Sequence, residues 1–357
     1  MFPSHQKRIG IVGGGVAGLT IARFLSAFGL RSIIIENQSA LGGHVRNWAC
    51  MATQRCLRCY SCTVADLVAA VTASPLVHAL LKTELAEIST EKGAVRQVTV
   101  RHIESGKTQS FDVSALVLAA GFQPYDPSDK GFWGYGQLTE SVLTLQDMYR
   151  MVKDDELNGF SRGVEGPMRV AFFQCVGSRD RSIGANYCSH YCCKAALRMA
   201  LRIAHEKPDW RLSIFYVDLQ VTGKFGSQLL KEAQSRGIRL IQGVPGEIVP
   251  QSDGMVVVVR EENGRNIREP YHRIVLSIGQ RPAATLPRLA AICGLELDRF
   301  GYGASPRSLC NGRTDIQGLY LAGSCVGPMD IEETLLHAGQ TAAAVVQDLM
   351  RKREDSV

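Results

Sequence analysis

Residues Arg8–Glu36 constrain the fold more than any other stretch of the chain. Arg8–Val12 (RIGIV) reads as a short apolar strand, Gly13–Gly18 (GGGVAG) as a glycine turn and Leu19–Ala27 as a helix, and Arg31–Glu36 as a second strand, rich in isoleucine and ending on an acid. Strand, glycine turn, helix and strand in that order make the opening βαβ unit of a dinucleotide-binding fold. Gly13 makes the turn, Gly15 lets the backbone approach a pyrophosphate, and Gly18 lets the helix close on the strand; the first helical amides and the dipole favour an anion there. Glu36 is placed to accept from a ribose hydroxyl, which favours a free ribose over a phosphorylated one without distinguishing FAD from NAD. A glycine turn that serves packing alone is the alternative reading. Further on, the Gly42-Gly43 turn is followed by His44 and Arg46, which either approach pyrophosphate or flavin or serve surface and packing roles.

The rest of the chain repeats the α/β theme. Thr63–Thr72 reads as a helix, residues 78–120 as strands and hairpins, and Leu143–Lys153 as a helix within an irregular stretch. Past Pro167 a second strand–helix–strand unit opens with RVAFFQC, and GLYLAG and an Ala-rich helix after Asp330 complete the pattern. With 357 residues, 45% of them apolar and 21% charged, the chain has enough for one or two packed domains and too much apolar content for wholesale disorder. A large α/β core of two related halves accounts for the pattern, although two separate α/β domains give the same local signal. After the second opening strand comes Gln174-Cys175-Val176-Gly177-Ser178 in place of a glycine fingerprint, so a second nucleotide is disfavoured. Thr341–Val346 reads as core packing, with a subunit interface as the alternative.

The net charge of +6 comes from basic residues dispersed along the chain, which is poor support for nucleic-acid binding. No stretch of 18 apolar residues suggests a transmembrane helix, and the amino-terminal residues lack a secretory pattern. A cytoplasmic setting, where thiols stay reduced and can ligate iron, is the expectation.

Eleven cysteines, an odd number, argue against a simple disulfide framework. Four lie within residues 50–62 and four within 175–193, while Cys293, Cys310 and Cys325 are scattered. In the later group a helix expected after Ser189 puts Cys188 and Cys192 about one turn apart, beside Cys193, and Cys175 returns from the preceding strand end. Four soft thiolates suit an iron–sulfur cluster or zinc; thiol or disulfide chemistry and plain packing are the remaining readings. Cys56-x-x-Cys59-x-x-Cys62, with Cys50 as a fourth candidate, leaves open a second cluster, a Cys56/Cys59 redox dithiol, zinc, and structural or partner-contact cysteines. His190, inside the later group, is either an outer-shell neighbour of the thiols or an ordinary polar side chain.

These residues resemble the A subunit of heterodisulfide reductase, a flavoprotein on a thioredoxin-reductase-like core, and above all its compact form in the heterodisulfide-reductase-like complex of bacterial sulfur oxidation. The resemblance runs from GIVGGGVAGL through Gln174–Asp180 and Tyr187–Cys193 to GLYLAGSCVGPMDIEETLLHAGQTAAA, with the central cysteine motif its most specific part. It implies an α/β fold of two Rossmann-like halves: an FAD-binding domain from residues 1–125 and 310–357, and a degenerate NAD-domain-like unit, 165–285, carrying the iron–sulfur site. Residues 126–164 and 286–309 would connect them. It further implies that Cys175, Cys188, Cys192 and Cys193 bind a [4Fe–4S] cluster, that Gly13, Gly15, Gly18 and Glu36 hold the FAD, and that the Leu85 backbone reaches adenine. Ala120-Gly121 resembles the end of an ATG motif. Gly323 matches the glycine of a Gly-Asp flavin motif in which Ser324 replaces the acid, and Asp330-Ile331 would open a helix toward the flavin pyrimidine edge. The implied role is an FAD and [4Fe–4S] electron-transfer component, a homodimer working with other complex subunits and electron carriers. Long flanking ferredoxin-like segments of the larger versions are not found in this sequence, which points to dependence on partners. The competing expectations are a pyridine-nucleotide:disulfide oxidoreductase using Cys56/Cys59, and a structural zinc protein on a degenerate nucleotide-binding fold.

Overall fold

The computed structural model describes residues 8–161, 164, 166–252, 255–263, 265–304 and 311–354; Cys310 lies outside them. The chain divides into two compact units, one of Met1–Arg46, Tyr60–Gln123 and Arg281–Val357, the other of Asn47–Cys59 and Pro124–Gln280.

In the first unit, strand Arg8–Val12 runs parallel to Ser32–Ile35 on one side and to Thr108–Leu118 on the other, with Gly10 opposite both Ile33 and Leu116. Val77–Leu80 extends the sheet beyond Ser32–Ile35, and Leu319–Leu321 joins in parallel beside Leu116–Leu118. Both faces of this parallel part are covered, which is why Ile33, Ile34 and Ile35 are all buried and no alternation shows in the sequence. Thr108–Leu118 changes character along its length. Its first half alternates buried and exposed residues and pairs antiparallel with Ala94–His102, while its last four residues are continuously buried in the parallel part. Helices Val16–Ala27 and Ile331–Glu354 pack against each other. Ala342, Ala344, Val345 and Val346 are buried, which supports the packing reading of that stretch.

The second unit repeats the plan. Five parallel strands stand in the order Arg239–Gln242, Arg211–Tyr216, Arg169–Val176, Arg273–Ile278, Val142–Thr144, and Glu247–Pro250, Val256–Glu262 and Arg265–Tyr271 form a separate antiparallel sheet. Helix Cys192–Glu206 connects Arg169–Val176 to Arg211–Tyr216, the place a nucleotide-binding helix takes in a Rossmann half.

Three expectations need correction. The expected connection 286–309, of which 305–309 lie outside the described residues, carries helix Leu286–Cys293, which buries Leu286, Leu289 and Cys293 in the core of the first unit. Residues 47–59 belong with the second unit, as do 126–164. Val142–Thr144 forms a short strand ahead of the expected helix, whose start it caps: Thr144 Oγ1 accepts from the Asp147 amide (3.2 Å) and the Asp147 carboxylate accepts from the Thr144 amide (2.8 Å). Three residues are too few to show a period, and their partner strand lies at Ile274–Leu276.

Candidate functional site

The first unit gathers the dinucleotide residues by steric necessity. Gly13 has φ +108°, its amide donates to Ile35 O (2.9 Å), and a Cβ there would strike the Ala119 carbonyl. A Cβ on Gly18 would strike the Gly13 carbonyl, so helix and strand touch through this glycine. Gly15 differs, since a Cβ on it would meet only Gly43 Cα, at 3.9 Å. The space over Gly15 is therefore open to a ligand and not filled by protein. No side chain caps the helix at Gly15 and its first turn has no acid, so its first amides keep no side-chain acceptor from within the helix.

Glu36 is buried at 6% exposure. Its Oε2 accepts from the Gly14 amide and its Oε1 from the Gln38 amide, both at 2.7 Å, so the carboxylate is fixed while lone pairs remain for a ribose hydroxyl. The Gly42 amide donates to Gly14 O (2.8 Å). His44 and Arg46 follow this turn, but their polar ends reach chain carbonyls: His44 Nε2 lies 3.0 Å from Phe122 O, and Arg46 Nη1 donates to Ala40 O (3.0 Å). Leu85 is buried on strand Thr83–Glu91, and its carbonyl accepts from Arg288 Nη2 (3.2 Å). Ala120 and Gly121 follow the residue lying under Gly13, and the Ala119 amide donates to Val12 O (2.8 Å). Gly323 lies against the phosphate-turn helix, where a Cβ would come within 2.7 Å of Ala17 Cβ; Ser324 beside it is buried. Asp330 caps helix Ile331–Glu354 reciprocally, its Oδ1 accepting from the Glu333 amide (2.8 Å) and its own amide donating to Glu333 Oε2 (2.9 Å). The sequence reading missed a polar stripe on this helix, Thr334, His337 and Thr341, all buried. Their spacing from Asp330 was the available signal.

The second unit holds the later thiols. Cys175 ends its strand with φ +60°, and Cys192 and Cys193 are the first two residues of helix Cys192–Glu206. The helix expected after Ser189 begins only at Cys192, because His190 adopts φ +62° and turns its amide to Cys188 Sγ (3.3 Å) in the loop before it. The ring of His190 is on an exposed residue. Ser189 Oγ accepts from the Gln280 amide (2.9 Å) and Tyr191 OH donates to Ile278 O (2.5 Å), which anchors this loop to the sheet. The four thiols lie in one another's electrostatic field. Burial, then Cys193, pushes Cys175 up to about 12, with Cys188 adding to the rise. Cys188 is raised, chiefly by burial. Cys192 donates to Cys193, holding Cys193 down at about 7 and Cys192 well above an ordinary thiol; the Gln220 amide also favours a thiolate on Cys193. Arg179, ion-paired with Asp218, favours the charged form of Cys175. The pocket thus favours one thiolate at the helix start, and a charge-accepting group bound there would relieve the mutual repulsion of the rest.

The earlier cysteines do not form one group within one unit. Cys50, Cys56 and Cys59 lie in the second unit, on a loop held to helix Cys192–Glu206 by Arg198, which donates to Leu57 O and Arg58 O (2.9 Å each), and by Arg202 to Ala52 O. Cys62 belongs to the first unit, just before helix Thr63–Ala73. Among the described residues, no three His, Cys, Asp or Glu side chains are arranged around a point where they could hold a single metal ion.

The family model for pyridine nucleotide-disulphide oxidoreductases matches residues 7–344. The chain belongs to this family. This family member is 34% identical, over 71% of its length and 39% of the relative's, to the A subunit of the H(2):CoB-CoM heterodisulfide,ferredoxin reductase of Methanothermobacter thermautotrophicus. It is 32% identical, over 69% and 39%, to the iron-sulfur A subunit of the CoB–CoM heterodisulfide reductase of Methanocaldococcus jannaschii. The chain is thus similar to the A subunits of heterodisulfide reductases and spans about two fifths of the length of these two relatives. Among solved structures, a thioredoxin reductase from T. acidophilum aligns with a TM-score of 0.60 at 16% identity, covering 96% of this chain and 99% of that one, which shows the thioredoxin-reductase-like flavoprotein fold.

Proposed function

We propose that this relative of the heterodisulfide reductase A subunit binds FAD in its first unit and a [4Fe–4S] cluster through Cys175, Cys188, Cys192 and Cys193 in its second. It then serves as an electron-transfer component of a heterodisulfide-reductase-like complex in sulfur oxidation. One observation carries the reading: where a second dinucleotide helix would begin, the chain places Cys192 and Cys193, with Cys175 and Cys188 in their field. Four sulfur donors at one site suit iron–sulfur or zinc, and the name of the M. jannaschii relative, an iron-sulfur subunit, supports the former. A four-iron cluster takes one thiolate per iron, so its ligands need not converge on one point.

In the first unit, Gly15 and the first helical amides would hold the pyrophosphate, and Glu36 the ribose, while Gly323 and Ser324 and the start of helix Ile331–Glu354 border the flavin side. When bound, flavin exchanges electrons in pairs and the cluster singly. The protein's part is to hold both groups, exclude water and present them to partners. Those partners are other subunits of the complex, and the chain pairs with a second copy of itself in the cytoplasm. No described helix is long and apolar enough to cross a membrane.

Anaerobic purification followed by iron, sulfide, zinc and flavin analysis tests this. One FAD with four iron and four sulfide per chain is the expected result, with a paramagnetic signal on reduction that Cys192→Ser removes. Zinc without sulfide would support a structural zinc site instead. Rapid flavin reduction by NADH or NADPH in the isolated chain would favour the disulfide-reductase route through Cys56 and Cys59.

A further inference from the structure

The turn Gly323–Cys325 has a conformation only a glycine takes easily and a neighbour that fixes it. Gly323 has φ +68°, and a Cβ there would crowd Ala17 on the phosphate-turn helix (2.7 Å) and Thr334 on the carboxyl-terminal helix (3.2 Å). Its amide is buried, where an unanswered donor would be costly. His337 answers it: Nδ1 lies 3.1 Å from the Gly323 nitrogen, in a buried contact. An amide can only donate, so Nδ1 is the acceptor and the ring is neutral with its proton on Nε2. Burial lowers the imidazole's tendency to take a second proton, which keeps the acceptor form. On the same helix, Thr334 Oγ1 donates to Asp330 O (2.7 Å) and Thr341 Oγ1 donates to the His337 backbone carbonyl (3.0 Å).

We propose that His337 is the positioning residue of the flavin side of the dinucleotide site: by accepting the Gly323 amide it fixes the left-handed turn that carries Ser324, and so sets the distance between that turn and the Gly13–Gly18 helix. The proposal rests on the FAD reading above. Ser324 lacks the charge that an acid would bring to this place, so its backbone position matters more than its side chain. The ring acts through Gly323 and Ser324, not by touching the reacting atoms.

Two variants separate hydrogen bonding from bulk. His337→Asn keeps an acceptor near the position of Nδ1, while His337→Leu keeps apolar volume and leaves the Gly323 amide unanswered. Flavin-free protein is titrated with FAD, and the absorption spectrum and midpoint potential of the bound flavin are recorded, with circular dichroism to confirm folding. His337→Leu should bind FAD at least about tenfold more weakly, with a shifted flavin band or potential, and His337→Asn should stay within about threefold of the parent. Wild-type affinity, spectrum and potential in folded His337→Leu would overturn the assignment of His337 alone, as would an Asn variant no better than the Leu one. A parent chain that takes up no FAD would overturn the FAD reading and this proposal with it.

Discussion

At Gly15 and Gly18 the same substitution should have two different outcomes. A Cβ on Gly18 collides with the Gly13 carbonyl, whereas one on Gly15 has only Gly43 Cα near it, at 3.9 Å. Gly18→Ala should therefore force the helix off the strand, costing about 1–3 kcal/mol in urea unfolding, and lose bound FAD as well. Gly15→Ala, whose backbone φ of −82° suits alanine, should keep stability within about 1 kcal/mol yet weaken FAD uptake, since its methyl group stands where the pyrophosphate would approach. Equal stability losses in the two variants would count against a ligand role for Gly15. Both glycines were legible in the sequence because their roles depend on near neighbours in the chain. His337 was not, because its partner amide is 14 residues away and the contact exists only once the strand and the helix have packed.

Helix Ile331–Glu354 shows how an element carrying site residues is held at its far end. Arg313 grips Asp348 with two hydrogen bonds, from Nε (2.9 Å) and Nη2 (2.8 Å), and Tyr320 OH adds a third (2.7 Å). Burial pushes the Asp348 carboxyl up, but the Arg313 and Tyr320 donors outweigh it and hold the group below its ordinary value. A carboxylate whose folded value is depressed stabilises the fold above its unfolded value of about 4, and that contribution is lost as the pH falls through the lower folded value. Asp348→Asn should thus cost about 1 kcal/mol at pH 7, a figure kept small because the pair is partly solvated, and the gap between variant and parent should narrow toward pH 3. Urea unfolding at the two pH values checks this; a gap that widens on acidification would contradict the ion-pair account. Helix Cys192–Glu206 teaches a different lesson. Its existence was legible from periodicity, but its start was misplaced by two residues, because a left-handed His190 has no sequence signature beyond a loop.

For the molecule as a whole, each unit has its own core. Val12, Ile33, Leu116 and Leu321 lie in one, and Phe172, Leu197, Ala200 and Ile214 in the other. The two proposed cofactors should accordingly be separable. Cys192→Ser should lose iron and sulfide while retaining close to one FAD per chain, and Gly15→Ala should lose FAD while retaining iron. Flavin, iron and sulfide analysis of both variants tests this, and loss of both cofactors from either variant would mean that the sites are not carried separately.

The sequence by itself determined what close neighbours in the chain enforce. The βαβ start at Arg8–Glu36, the steric role of Gly18, the loss of a glycine fingerprint after the second opening strand, and the grouping of Cys175 with Cys188, Cys192 and Cys193 are all written in short stretches of the chain. Tertiary structure decided what depends on distant partners. It assigned Cys62 to a different unit from Cys50, Cys56 and Cys59, drew helix Leu286–Cys293 into the first core, and paired Val142–Thr144 with Ile274–Leu276. The physical reason is that a short buried segment has no period of its own and is placed by the surface it covers, and that surface is assembled from residues far along the chain.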